Sequence, residues 1–417
     1  VVLATGGIGK AYTVTSNSWE YSGDGHALAY SVGADLIDME FVQFHPTGMV
    51  WPPGVRGLLV TEAVRGEGGI LRNKDGERFM WKYLPEDRRN EYAATDEEAK
   101  RWVDAQSESR TTDARRPPEL STRDNVARAI YTEVREGRGS PHGGVFLDIS
   151  YLPAEHVRRK LPSMYEQFKE LADVDITAGP MEVGPTTHYM MGGIRVDAET
   201  GATTRLGLFA AGEVAAGMHG ANRLGGNSLS DLLVFGQRTG AAAAAFAAGQ
   251  EDLPHVDPAT VRTAAAELAA PFGNPTAPTA DGESPYRLHE ELQETMGVLV
   301  GIFRTDEDLA EAIRRLGELQ ARWKQVRVGG GRAYNPSWGL VFELRNMLIV
   351  SEAVARSARE RRESRGAHSR LDFPDPDPVW AGQNTTTRRS GEAMEIVTTA
   401  LPALGDELRQ LLSTEAH

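Results

Sequence analysis

The chain opens on an apolar run, VVLA, that ends at once in TGG, the pattern of a buried strand feeding a glycine turn over residues 1–9. In GDGHALAYSVGADL, residues 23–36, small and apolar positions recur at helical spacing and predict a helix packed close to a sheet. MEFVQFHPTG, residues 39–48, reads as a strand that delivers polar side chains at its end. Between Leu58 and Pro185 the pattern turns mixed and more charged. Residues 90–120 read as a solvated excursion, 142–150 as a short strand, and LPSMYEQFKELADV as a helix. GGIRVDAETGATTRLGLFAAGE predicts a hairpin followed by a buried strand. The long helix predicted over 228–249 is so rich in alanine along its second half that a tightly packed partner is expected. QEDLPHVDPAT reads as a linker, and the amphipathic segments 286–303, 305–326 and 341–362 predict antiparallel helices. From Asp372 the chain is rich in Pro and Asp, with a last helix expected near 404–412.

At 417 residues there is room for two or three domains. Hydrophobic residues make up 40% and charged ones 25%, as in ordinary globular proteins. The net charge of −14 argues against nucleic acid or an anionic membrane surface as a partner, so an anionic ligand needs a local cationic pocket. The absence of cysteine excludes disulfides, zinc–thiolate sites and iron–sulfur ligation by these residues, and no metal site is expected. No apolar run approaches the ~18 residues of a membrane-spanning helix, and no signal peptide is recognisable. The start, a strand with no preceding methionine or domain element, reads as a chain entering in mid-fold.

Four groups of residues offer chemistry. QFHPTG places Gln43, His45 and Thr47 at a strand end, with His45 held extended by the following proline; the alternative is a structural histidine. LVTEAVRGEGG sets Glu62 and Arg65 three apart on one helical turn, beside Thr61, and then breaks it with glycines; the alternative is a surface ion pair. LSTRDNVARAI puts Arg123 at a helix N-terminus, where a cation opposes the dipole, unless it pairs with Asp124 or Glu119. PTTHYMMGG and GMHGANRLGGNSLSDLL bring His188 and Arg223 beside glycine-rich backbone; the plain alternative is a tight loop capped at Asn227 or Ser228. Together these suit a small dicarboxylate, one end held by Arg223 and His188 and the other by His45 and Thr61.

HPTG, TEAVRGEGG, RDNVARAI, HYMMGG and HGANRLGGNSLSDLLVFG follow in this order, and ESRGAHSRLDFP comes later. The set resembles the flavoprotein subunit of succinate dehydrogenase and fumarate reductase, from Val1 to beyond Pro374. GMVWPP and EVGPTTHYMMGG look most like the actinobacterial type. The resemblance implies an α/β flavin-binding domain, Rossmann-like and incomplete at its N-terminus, interrupted by an inserted α+β capping domain. A helical-bundle domain and a C-terminal segment follow. The expected bounds are 1–40 and 188–251 for the flavin part, 41–187 for the cap, 252–371 for the helical domain and 372–417 for the last segment.

The implied cofactor is FAD, bound by Gly6, Gly7, Asp24, Glu213, Asn227, Ser228 and Leu229. The family's GxGxxG fingerprint and its histidine covalently linked to FAD are not in this sequence, so about half of the flavin site is expected here. The resemblance implies Arg123 as proton donor–acceptor, relayed through Glu62 and Arg65, with His45, Thr61, Glu62, His188 and Arg223 binding substrate. It implies succinate oxidation or fumarate reduction, with electrons passed to an iron–sulfur subunit, then to a membrane-anchored cytochrome b, quinone-binding subunit. Those partners would hold the chain peripherally on the cytoplasmic face of the cell membrane. Two other readings stay open: an enzyme like L-aspartate oxidase, and a catalytically inactive flavoprotein scaffold.

Overall fold

A computed structural model describes residues 1–252, 255–273, 282–406 and 408–410. The architecture is a mixed α/β one. The strand Val2–Leu3 pairs in parallel with Phe209–Ala210, which joins the first turn of the chain to the segment just before the glycine-rich loop. The helix Asp24–Ser31 buries Ala27, Ala29 and Tyr30 as its small-residue spacing predicts, and ends five residues before the predicted limit.

A four-stranded antiparallel sheet forms the base of the cap in the order Val42–Met49, Met181–Met190, Val145–Asp148, Ile70–Arg72. The helix Arg123–Arg135 lies on it, burying Val126, Ala129 and Ile130, three and then one residue apart on one face. Residues 90–120 are more than a solvated excursion. They contain the helix Asp96–Ser107, whose N-terminus is capped by Thr95 accepting from the Glu98 N–H and which buries Ala99, Val103 and Ala105. Three apolar positions among charged ones carry too little periodic signal to show against that background.

The helices Pro285–Leu299, Asp306–Trp323 and Pro336–Glu360 pack against one another along apolar stripes, Leu288/Leu292/Met296 on the first and Leu309/Ala312/Leu316/Leu319 on the second. Each fully buried Leu contributes about 1.5–3 kcal/mol. These stripes form one core with Leu3, Ile8, Ala27, Leu36 and Val214, whereas the cap has its own core around Leu71, Ile130, Leu147 and Val183. A third, small cluster joins Phe41, Tyr189 and Met191, with Ala221 and Ala367 packed against it.

Two further expectations are corrected. Gln383–Ser390 and Ala393–Ala400 form a hairpin where only a Pro- and Asp-rich stretch is apparent in the sequence, and it extends a sheet through Leu36–Ile37 to Gly193–Ile194. The long helix, Asn227–Ala248, does not bury its alanine run. Among the described residues its contacts are few: Phe246 meets Phe209 edge-on, while Leu229, Leu232 and Leu233 stay exposed. Of the helix predicted near 404–412, residues 406 and 408–410 are helical, while 407, 411 and 412 lie outside the described residues, as do 253 and 254 of the 250–260 linker.

Candidate functional site

Antiparallel pairing sets His45 opposite Thr186, with register irregularities on both sides of His45 that re-aim its side chain. His188, on the neighbouring strand, comes edge-on to the His45 ring at 5.3 Å between centroids. The Thr47 backbone holds His45 Nδ1, and Ser16 Oγ lies 2.8 Å from His188 Nδ1. Among the described residues neither Nε2 has a protein partner. Burial, then the Arg65 and Arg123 charges and His188, hold His45 well below the usual histidine range. Burial, then Arg223 and Arg123, pull His188 down to about 4. Both rings are neutral at pH 7.

Three arginines converge beside them. Arg65, on the short helix Glu62–Gly66, is 1% exposed and donates from Nη1 to the Glu119 carbonyl, while its Nε and Nη2 have no hydrogen-bond partner. Arg123 donates from Nε to Glu62 Oε2 at 3.0 Å and leaves Nη1 buried and unpartnered. It pairs with neither Asp124 nor Glu119, which are taken by Arg128 and Arg78. Arg223 is 4% exposed, bonds Gln43 Oε1 and Ser228 Oγ at 3.1 Å each, and lies 4.4 Å over the Tyr189 ring with Nε unpartnered. The nearby carboxylate, Glu62, is half exposed. Buried N–H donors are almost always satisfied, so four unpaired ones on three cations suit an anionic ligand. Thr61 precedes the short helix and makes no side-chain capping bond.

The paired glycines of HGANRLGGNS now have a reason. A Cβ on Gly225 would stand 3.0 Å from Arg123 Nη2, so glycine there lets the loop close on the cap. Gly226, left-handed at φ 84°, caps the long helix, and neither Asn227 nor Ser228 does.

On the other side of His188 and Arg223 lies a cavity of about 430 Å³, also lined by Gly6, Glu213, Ser228 and Leu229. A Cβ on Gly7 would sit 2.2 Å from Glu213 Oε1, so the first turn packs directly on this carboxyl. Glu213 accepts from the Met190 N–H, and burial raises it to about 7. Asp24 stands apart from the cavity, its carboxylate held by Asn346 Nδ2, and Asn227 is exposed outside the lining. Asn17 and Tyr21 line the cavity without any mark in the sequence, since no spacing flags residues that a loop brings in, whereas Tyr189 follows His188 on the strand Met181–Met190.

The family described as an FAD binding domain matches residues 1–229, and that of the fumarate reductase flavoprotein C-terminal region matches 289–403. The chain belongs to the succinate dehydrogenase and fumarate reductase flavoprotein family. The fumarate reductase flavoprotein subunit of Escherichia coli is 39% identical over 89% of this chain and 58% of its own length. The succinate dehydrogenase flavoprotein subunit of Coxiella burnetii is 37% identical over 94% of this chain and 62% of its own length. A structure of Mycobacterium smegmatis Sdh1 in complex with UQ1 superposes with a TM-score of 0.82 at 51% identity, covering 100% of this chain and 64% of that one. This flavoprotein chain thus spans less than two thirds of the length of these relatives.

Proposed function

We propose that the protein interconverts succinate and fumarate, in either direction, as the flavoprotein subunit of a larger respiratory complex. The observation that carries this reading is the set of unpaired donors on Arg65, Arg123 and Arg223, which act electrostatically on His45 and His188 between them, with Arg223 and His188 also lining the cofactor cavity. A dicarboxylate supplies two planar anions for such donors. Arg223 and His188 hold one carboxylate, and His45 and Thr61 the other, with both imidazoles neutral so that they donate or accept without adding charge. Burial of His45, Arg65 and Arg223 lowers the local dielectric, which strengthens each of these contacts.

The small residues of the first turn, the Glu213 carboxyl and the start of the long helix at Ser228 and Leu229 suit the flavin end of FAD. FAD, when bound there, supplies the two-electron hydride chemistry. Arg123 holds and moves the second hydrogen as a proton. Its Nε–Glu62 contact leads from the buried Nη1 side of the guanidinium to a half-exposed carboxylate, and Arg65 lies 3.7 Å from the same oxygen. Burial lowers Arg65 to about 10, against the pull of Glu62, which brings a guanidinium closer to useful proton exchange.

Electrons would leave through an iron–sulfur subunit, then through a membrane-anchored, quinone-binding one. The cysteine-free sequence and the relatives named as subunits support this. Among the described residues no helix is long and apolar enough to cross a membrane, which suits peripheral attachment at the cytoplasmic face through such partners.

The test is an anaerobic visible spectrum of the FAD-loaded, full-length protein. Bleaching of the flavin band near ~450 nm by succinate supports the reading. Bleaching by L-aspartate alone would replace it with an oxidase, and no response to either would favour an inactive scaffold.

A further inference from the structure

Arg123 sits on the cap helix and Arg223 on the loop whose Gly225 lies against Arg123 Nη2, and as like charges they push that junction apart when no anion lies between them. The residues next to them are joined across it. Asn222 Nδ2 donates to Asp124 Oδ1 at 2.9 Å, and Asn222 Oδ1 accepts from Gln43 Nε2 at 2.6 Å. Gln43 also accepts from Arg223 Nη2 and donates to the Arg223 carbonyl. The second Asp124 oxygen accepts from Arg128 Nη2 at 2.9 Å. Arg128 reaches the Gly366 carbonyl, and the next residue, Ala367, donates its N–H to the Ala221 carbonyl. An unbroken hydrogen-bonded chain therefore runs from Arg223 through Gln43, Asn222 and Asp124 to Arg128, with Arg123 one residue away on the cap helix.

We propose that Asp124 and Asn222 are positioning residues, a latch across the cap junction that fixes Arg123 in register with Arg223. An acidic residue in the first turn of a helix also suits the dipole, but that role gives Asn222 nothing to do. The bond between them spans 98 residues of sequence and joins the cap to the flavin-side loop. Neither residue is among the ligands assigned above, so the latch acts through the geometry of the two arginines.

This inference rests on the dicarboxylate reading, and its test separates the two. The full-length, FAD-loaded protein is compared with Asp124→Ala, Asn222→Ala, the double variant and Asp124→Asn. If the latch is right, each single alanine lowers kcat by about 10- to 100-fold, as expected for a misplaced catalytic group. The malonate dissociation constant changes by less than about threefold, and the double variant is no worse than the poorer single one because both break the shared Asn222–Asp124 bond. Asp124→Asn, which keeps an acceptor for Asn222, recovers most of the loss. Spin labels on Lys100→Cys in the cap and Arg238→Cys on the long helix report the junction, and their distance distribution broadens in both alanine variants.

Additive losses, an unchanged distance distribution, or kcat within about twofold of the parent would each overturn the latch. If Asp124→Ala fails to fold, Asn222→Ala gives the same reading. A parent protein that turns over neither succinate nor fumarate refutes the functional reading instead, and the label distances still decide the latch.

Discussion

Arg361 lies against the ring of Phe41 and Arg223 against that of Tyr189, and the two buried charge clusters they belong to are built on opposite plans. Arg361 is ringed by Asp38, Glu40 and Glu363, bonds the Trp380 and Gln383 carbonyls as well, and lies against the rings of Phe41 and Trp380. Its charge and donors are matched within the protein, and it binds the strand-end residues Asp38 and Glu40 to the end of the third long helix. Arg65 and Arg123 share one half-exposed glutamate, Arg223 bonds only neutral groups, and the three keep four donors unpaired among the described residues. Burial of charge is common to both; what distinguishes the second is the mismatch. A matched cluster fixes domains in place, whereas an unmatched one is held ready for a ligand that completes it.

The largest effect is expected at the unmatched cluster. Arg123→Gln should lower turnover by about 10²–10⁴-fold, the range for loss of a general acid–base group, while malonate binding remains. A steady-state assay with either dicarboxylate checks this, and retained turnover would remove Arg123 from the proton role. At the matched cluster the loss should be in stability. Arg361→Met leaves buried Glu40 without its cation and strips one partner each from Asp38 and Glu363, which keep Asn384 and Arg365. It should cost about 3–5 kcal/mol, read by denaturant unfolding, without weakening malonate binding to the folded protein.

Arg223→Gln should weaken malonate binding by about 10- to 100-fold, as expected for one charge-assisted pair of hydrogen bonds, with a small change in the unfolding midpoint. If it instead destabilises as strongly as Arg361→Met, the contrast between the clusters fails.

The smallest effect concerns pH. Glu213 keeps its proton up to about pH 7 in the folded chain but releases it near its ordinary 4.5 when unfolded. Between those values the native state binds more protons, so stability falls as pH rises and the loss is complete above about 7. Asp38, also raised to about 7 by burial and by Glu40, adds to the same slope. Glu213→Gln should therefore stabilise the protein by about 1–3 kcal/mol at pH 8 and change little at pH 4, leaving the Asp38 part of the slope.

The site was legible in the sequence to the extent that its residues sit inside short motifs with local faults. An arginine at a helix start and glycines beside a histidine and an arginine are such faults, and the structure brings Arg123, Arg223 and His188 together. What stayed hidden was pairing over distance. Nothing local links Arg123 to Glu62, 61 residues away, or Arg361 to Glu40, 321 residues away. The Thr- and Arg-rich hairpin Gln383–Ala400 was missed because its strands alternate little in hydrophobicity. Thr385, Thr386 and Thr387 are buried, with Thr385 Oγ1 bonding Glu40 instead of packing as apolar residues. The exposed alanine run shows the converse limit, since small side chains permit close packing but do not supply a partner.

Calorimetric titration of the folded protein with malonate, a dicarboxylate that cannot be oxidised across adjacent carbons, comes first among these measurements. One site per chain, weakened in Arg223→Gln and untouched in Arg361→Met, is the predicted result. Absence of binding in a protein that stays folded, or equal binding in Arg223→Gln, would contradict the reading of the unpaired arginines as a dicarboxylate site.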